Sequence, residues 1–387
     1  MRLKKMEKKI IHLKTSKIFF QNKGLIFSST YKEQAMQLRQ SSLMVFIFLI
    51  ILFLVTGCAP NHSTLNCHTP WKFALISDTQ GANRPGTEHR AYINEPIVQA
   101  IALDIAKEKP DFVLVAGDLI SGWSNGTGTD YVAQYKKWRS VMEPVYRSNI
   151  PVFPIRGNHD VGPERVALPP LPARMEPQPG ALDMLEQAFK DSFNDSYIPW
   201  SGTEDREKFN FSFSHKNAFI VGLDVCGKHQ HKVDQDWLNK QISGNRKPHI
   251  FVFAHEPAFQ VRHKDCLAYY KEERDLFWDT LGKAGGRVFF CGHDHLYNRA
   301  AIKDSAGNQI RQIVAGTGGG RHTKWSGTYA EHSRVKGEYN NSDHHGYIIV
   351  VVDGQQTTIM WKALVNEESG HSWIIPDTFS YTLPCVR

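Results

Sequence analysis

Cysteine is sparse, with six in 387 residues, and no CxxC pair occurs, which excludes a zinc ribbon and a thioredoxin-like motif. No internal repeat is present, and the glycine-rich run Gly316–His322 is neither a Walker A loop nor a dinucleotide fingerprint. Long apolar runs are also missing: the longest, Leu43–Val55, has 13 residues, about 20 Å of helix against a hydrocarbon core of ~30 Å. Acidic residues are almost absent from residues 1–57, which hold 2 Asp+Glu against 10 Lys+Arg, leaving 37 and 36 of the totals of 39 and 46 for the rest. The formal charge of +7 therefore belongs to the leading segment, the remainder nets about −1, and no nucleic-acid groove is indicated. With 41% hydrophobic residues the chain is too apolar for disorder.

The leading segment reads as export machinery. The run Leu43–Val55 follows Arg39 and ends at Thr56-Gly57-Cys58, the pattern of a signal-peptide h-region. Val55-Thr56-Gly57-Cys58 resembles the bacterial lipobox, whose cysteine is acylated and becomes the new N-terminus, and two or more acyl chains anchor a protein stably. Residues 1–57 are thus expected to be a signal peptide, with Met36 a more ordinary start, and 58–70 a lipidated linker. The expected product is an exported lipoprotein held on the cell envelope through Cys58. Of its five other cysteines, Cys67 and Cys385 bracket the domain and are candidates for pairing, since disulfides persist outside the cytoplasm.

From Trp71 onward, apolar runs alternate with helical stretches. Runs at 73–77, 112–117, 151–157, 209–213, 218–224, 249–255, 287–293, 312–318 and 347–353 read as buried strands, each closed by a Gly or Asp turn. Helices are predicted around Pro96–Lys109, Tyr131–Tyr146 and Ala181–Phe193. The fold class is α/β, one domain over 71–387. Residues 161–208, with six prolines between Pro163 and Pro179, read as an inserted surface loop carrying one short helix.

Polar residues collect where these strands end, the place where ligands bind in open α/β sheets. Asp78-Thr-Gln80 ends the first and Gly117-Asp118 the second. Gly157-Asn158-His159-Asp160 follows the third, and Asp78, Asp118 and Asn158 are spaced 40 residues apart. Later come Ala254-His255-Glu256 and Gly292-His293-Asp294-His295. Residues two apart in an extended segment point the same way, so Gln80 can join Asp78, and His295 can join His293. Two aspartates, an amide pair and three imidazoles form a mixed nitrogen and oxygen set suited to Mn, Fe, Zn or Ni rather than calcium.

This order of motifs resembles the calcineurin-like metallophosphoesterase family over about Trp71–Val352. The resemblance implies two packed mixed sheets flanked by helices. It also implies two divalent or trivalent metal ions, one on Asp78, Gln80, Asp118 and His295 and the other on Asp118, Asn158, His255 and His293. His159 then corresponds to the histidine that protonates the leaving oxygen, a role suited to imidazole. A pair of cations about 3.5–4 Å apart lowers the pKa of the water between them and neutralises phosphate oxygens during in-line attack. The implied activity is hydrolysis of a small phosphate ester, a monoester by preference. A phosphodiesterase acting on cyclic nucleotides or phospholipid head groups is the alternative within the same ligand set, and a non-catalytic surface binding protein on a decayed scaffold is the alternative outside it.

Two positions depart from the family pattern. The first motif is Asp-x-Gln rather than Asp-x-His, and Gln80 offers only a neutral amide oxygen. Ser121 stands where purple acid phosphatases carry a tyrosine ligand, so a purple diferric centre is not expected. Arg321 and His322 are candidate substrate contacts in the glycine-rich run, which otherwise reads as a tight connection. Asp343-His344-His345 reads as a solvated loop and Trp123 as a candidate cleft wall. Arg156 reads as structural, Glu256 as bonded within its loop, and Asp160 as a backbone cap.

Overall fold

The computed structural model describes residues 69–81, 92–122, 128–161, 181–200, 209–227, 229–365 and 370–384, within a compact unit Cys67–Arg387. The expected signal peptide, Cys58, most of the expected linker, Cys67, Cys385, Trp123 and most of the proline-rich insert lie outside the described residues. Among the described residues no helix is long and apolar enough to cross a membrane.

Three parallel strands, β1 (Trp71–Ile76), β2 (Phe112–Ala116) and β3 (Val152–Ile155), open the fold as β-α-β units. Their crossovers are α1 (Glu95–Glu108) and then α2 (Gly128–Val141) with the short α3 (Glu143–Arg147). Helix α1 starts at a proline in its first turn and ends at Lys109 in the left-handed conformation, the usual stop before a new strand. A one-turn helix α4 (Asn158–Val161) follows β3, and α5 (Ala181–Ser192) follows in the insert. The second set comprises β4 (Phe211–His215), β5 (Ala218–Leu223), α6 (Gln235–Gly244), β6 (His249–Ala254), α7 (Lys271–Lys283) and β7 (Val288–Cys291). The chain closes with β8 (Tyr297–Lys303), β9 (Gln309–Ala315), β10 (Val335–Asn341), β11 (Gly346–Asp353), β12 (Gln356–Val365) and β13 (Ser372–Thr382).

The strands form two mixed sheets, of order β13-β12-β11-β1-β2-β3 and β10-β8-β9-β7-β6-β5-β4. Strand β6 shows why the sequence reads as an unbroken apolar run: Phe251 and Phe253 join the core between the sheets, while Ile250, Val252 and Ala254 join a second core under α6 and α7. The sheets meet at Phe73 of β1, whose ring centroid lies 5.1 Å from that of Phe251. A second meeting point is Tyr297 of β8, stacked 4.5 Å from Trp361 of β12.

Four strands escape the sequence reading. β8, β10, β12 and β13 are antiparallel and mix polar with apolar residues, so they carry no continuous apolar run. The insert also differs from a plain surface loop. Its helix α5 buries Leu185, Ala188 and Phe189 in the core between the sheets and helices, and Glu186 stands 3.4 Å from the buried Arg156.

Candidate metal centre

Every ligand candidate sits just past the carboxyl end of a parallel strand, and three take an uncommon backbone conformation. Asp78, Asp118 and His293 have φ of +57°, +53° and +71°, a region that costs free energy for a residue with a Cβ. Those kinks turn the side chains off the strand axes toward one another. The turns are zipped together: Asp78 N donates to Gly117 O at 3.1 Å and Thr79 N to Asp118 O at 2.9 Å. Asp160 Oδ2 accepts from Gly157 N at 2.8 Å and Leu119 N at 3.2 Å, the capping role expected of it. Gly157 and Gly292 are required here, because a Cβ on either would collide with the carboxylate of Asp118 or Asp78.

Asp78, Asp118 and His255 bring ligand atoms within 4.8 Å of one another, all buried. On one side, Asn158 Oδ1 lies 3.0 Å from His255 Nε2 and 2.8 Å from His293 Nδ1, and His255 Nε2 lies 3.4 Å from Asp118 Oδ1. On the other, His295 Nε2 lies 3.5 Å from Asp78 Oδ1, and Gln80 Nε2 stands 3.0 Å from His295 Nε2 and 2.9 Å from Asp118 Oδ2. Gln80 Oε1 is buried without a hydrogen-bond partner. Turning the amide by half a turn exchanges the two atoms and points this acceptor between Asp118 and His295. The outer nitrogens fit the same purpose. His255 Nδ1 lies 2.9 Å from Ala116 O and His295 Nδ1 2.9 Å from Arg321 O, so each ring can donate outward and keep its inward Nε2 as a lone pair. These atoms are a donor set that fits divalent metal binding.

The electrostatics mark the same place. Burial raises the Asp78 pKa to about 6, aided by the Asp118 charge and opposed by His255. Burial pushes Asp118 up as well, but His255 and His159 outweigh it and hold this carboxyl well below the usual range. Burial would lower His255, yet the Asp118 carboxylate raises it to about 10, while burial holds His295 down at about 4. The two buried carboxylates share His255 as a positive neighbour, a concentration of negative charge that suits a cation.

His159 stands at the rim, half-buried, with Nε2 4.0 Å from Asp118 Oδ2 and Nδ1 2.7 Å from Ser121 O. Its backbone N–H donates to Asp118 Oδ1 at 2.8 Å. The glycine-rich run is a connection and not a phosphate cradle: Gly316, Gly318 and Gly320 donate their N–H groups to Leu296, Ser77 and Asp78 carbonyls. Of the two substrate candidates there, Arg321 is exposed and His322 half-buried, its ring stacked 4.0 Å from that of His345. His345 is buried, contrary to the solvated loop expected for its segment. Glu256 pairs outside its own loop, 2.8 Å from His231 Nδ1. Arg156 is structural: it pairs with Asp224 and stacks over Phe209. A cavity of about 300 Å³ lined by Asp224, Lys232, Asp234 and Glu273, among others, touches none of the ligand residues.

Three neighbours of the centre escape the sequence reading. Asp294 accepts from the backbone N–H groups of Arg262 and His263, the His263 ring lies 4.9 Å from that of His293, and Asp265 Oδ1 lies 3.5 Å from His293 Nε2. Residues 262–265 come from a connection with no motif, so only the folded chain brings them to the site.

The model of the family described as calcineurin-like phosphoesterase matches residues 72–297. The chain belongs to this family. Among solved structures it is similar to a purple acid phosphatase from yellow lupin (Lupinus luteus) seeds, with 16% identity over 81% of this chain and a TM-score of 0.59. It spans only 54% of the length of that protein. It is also similar to PhoD, with 14% identity, 81% of this chain and 70% of that one covered, and a TM-score of 0.59. A third similar structure is the anchor in the inner membrane complex of Plasmodium, with 16% identity, coverage of 81% and 89%, and a TM-score of 0.50. At these identities the likeness establishes the fold alone. No curated protein matches the sequence.

Proposed function

We propose that the chain is an exported, lipid-anchored hydrolase of small phosphate esters that works with two metal ions and favours monoesters. The observation that carries this reading is the convergence of Asp78, Asp118 and His255 within 4.8 Å at the strand ends, with Asn158, His293, His295 and Gln80 completing the ring. Cations bound there would supply a water of lowered pKa and positive charge for the phosphate oxygens.

The chain's own residues do the rest. Asp118 reaches both halves of the ring, and its buried charge gives the cations their anionic partner. His159 is the general acid. Its Nδ1 faces the Ser121 carbonyl at 2.7 Å, which fixes the ring and leaves Nε2 as the nitrogen that delivers a proton to the leaving oxygen. Arg321, exposed beside His295, and His322 are the proposed contacts for the substrate anion. Cys58 is the proposed lipidation site that holds the enzyme on the cell envelope.

The test is a comparison of kcat/KM on p-nitrophenyl phosphate and bis(p-nitrophenyl) phosphate, with and without chelator. Chelator-sensitive hydrolysis that favours the monoester is expected. Preference for the diester would replace the monoesterase reading, and no hydrolysis of either after Mn, Fe, Zn or Ni reconstitution would overturn the enzyme.

A further inference from the structure

The three histidines of the ring do not share one kind of outer partner. His255 and His295 each set the outer nitrogen against a backbone carbonyl, Ala116 O and Arg321 O, both at 2.9 Å. His293 differs: its inward atom is Nδ1, and its outer Nε2 is buried without a hydrogen-bond partner, 3.5 Å from Oδ1 of Asp265, whose side chain is 42% exposed. The ring is 5% exposed, and its backbone lies at φ +71°, so a relaxed strand does not set its direction.

The connection carrying Asp265 is tied to the same turn. Asp294, buried between His293 and His295, receives the N–H groups of Arg262 at 3.1 Å and His263 at 3.0 Å, and the His263 ring stands 2.8 Å from its Oδ1. Cys266, next after Asp265, is fully buried and returns the chain to the core. The loop that carries Asp265 is thus tied at both ends: Asp294 fixes its approach and Cys266 its exit.

We propose that Asp265 is a positioning residue for the metal centre. Its carboxylate, at ion-pair distance from that unpartnered nitrogen, favours the Nε2–H tautomer of His293 and so leaves Nδ1, beside Asn158 Oδ1, as the lone pair for a cation. The inference rests on the dinuclear reading of the site. A carboxylate behind a ligand histidine fixes tautomer and ring direction and raises ligand basicity, and its loss typically weakens metal binding about 10–100-fold.

The test uses the full-length protein labelled with ¹⁵N-histidine, first metal-free above the histidine titration range and then in calorimetric titration with Zn²⁺. In the wild type, the His293 ring resonances, assigned by their loss in His293→Gln, are expected to show the proton on Nε2. Asp265→Ala is expected to lose that preference and to weaken one of two Zn²⁺ sites about 10–100-fold, leaving the other unchanged. Asp265→Asn, whose amide oxygen can accept the same N–H, is expected to recover part of both. Arg262→Ala, exposed in the same loop, is expected to change neither. An Asp265→Ala protein with the wild-type tautomer and both wild-type affinities would overturn the assignment. A wild type that binds no Zn²⁺ would instead sink the dinuclear reading, and the metal-free tautomer comparison would still decide the role of Asp265.

Discussion

On one side of Asp118 stand Asn158, His255 and His293, and on the other Asp78, Gln80 and His295. The first group already converges: two imidazole nitrogens lie 3.0 and 2.8 Å from one amide oxygen. The second group carries a neutral amide where the family pattern has an imidazole, and that amide turns its NH₂ toward Asp118 and His295. The nitrogen-rich half suits softer transition metals, whereas the oxygen-rich half leans toward harder cations, and we propose that its neutral amide makes it the looser of the two. What the difference teaches is that the donors on the two sides of one buried carboxylate differ in chemistry, and the proposed pair of cations would be held unequally there.

Removing the bridge should break both halves at once. Asp118→Asn is expected to lower kcat/KM on p-nitrophenyl phosphate by ~10³-fold or more and to reduce bound metal at both positions. A rate within a few-fold of wild type would remove Asp118 from the centre. His293→Ala should act on the nitrogen-rich half alone, with a loss of about 10²-fold in rate and one metal per chain retained after dialysis. Loss of both metals would show that the halves do not bind separately.

Gln80→His sharpens the comparison from the other side. It places an imidazole in the oxygen-rich half, and tighter retention of the second metal through dialysis is expected, read by elemental analysis. Unchanged retention would mean that this half is limited by something other than the amide.

The smallest effect concerns the rim beside His295. Burial, with the charge of His322, holds the His345 pKa down at about 3, whereas the ordinary histidine value is 6.5. The folded chain therefore keeps this ring neutral while the unfolded chain protonates it. The stability from this group is fully present above about pH 6.5 and is lost progressively as pH falls toward about 3. In denaturant titrations with chelator present, His345→Gln is expected to show a shallower acid loss than wild type across that window. Identical slopes would remove the contribution.

The parallel strands were legible because strands buried on both faces must be apolar at every position, as in Phe73–Ile76 and Ile250–Ala254. The ligands were legible for a related reason: each follows such a run directly. The pairs Asp78/Gln80 and His293/His295 do come together, but through left-handed turns at Asp78 and His293 and not through the two-residue period of an extended chain. Strand β10 was not legible, since its sequence VKGEYNN lies half-exposed at a sheet edge with one fully buried residue, Val335. Strand β13 hides Asp377, which faces inward to Arg299 and Tyr297, and a buried ionic partner breaks any apolar alternation. Asp265, His263, Glu186 and Asp224 were illegible for one shared reason. Their partners, His293, Asp294 and Arg156, are close only in the folded chain.

The central claim is a pair of cations held unequally on either side of Asp118. The most direct test is metal content per chain, by elemental analysis, before and after extended dialysis of the full-length protein reconstituted with Mn, Fe, Zn or Ni. The expected result is close to two metals at first and one after dialysis, with hydrolysis falling as the second is lost. Equal retention of both would contradict the asymmetry, and no bound metal under any of the four would contradict the centre itself.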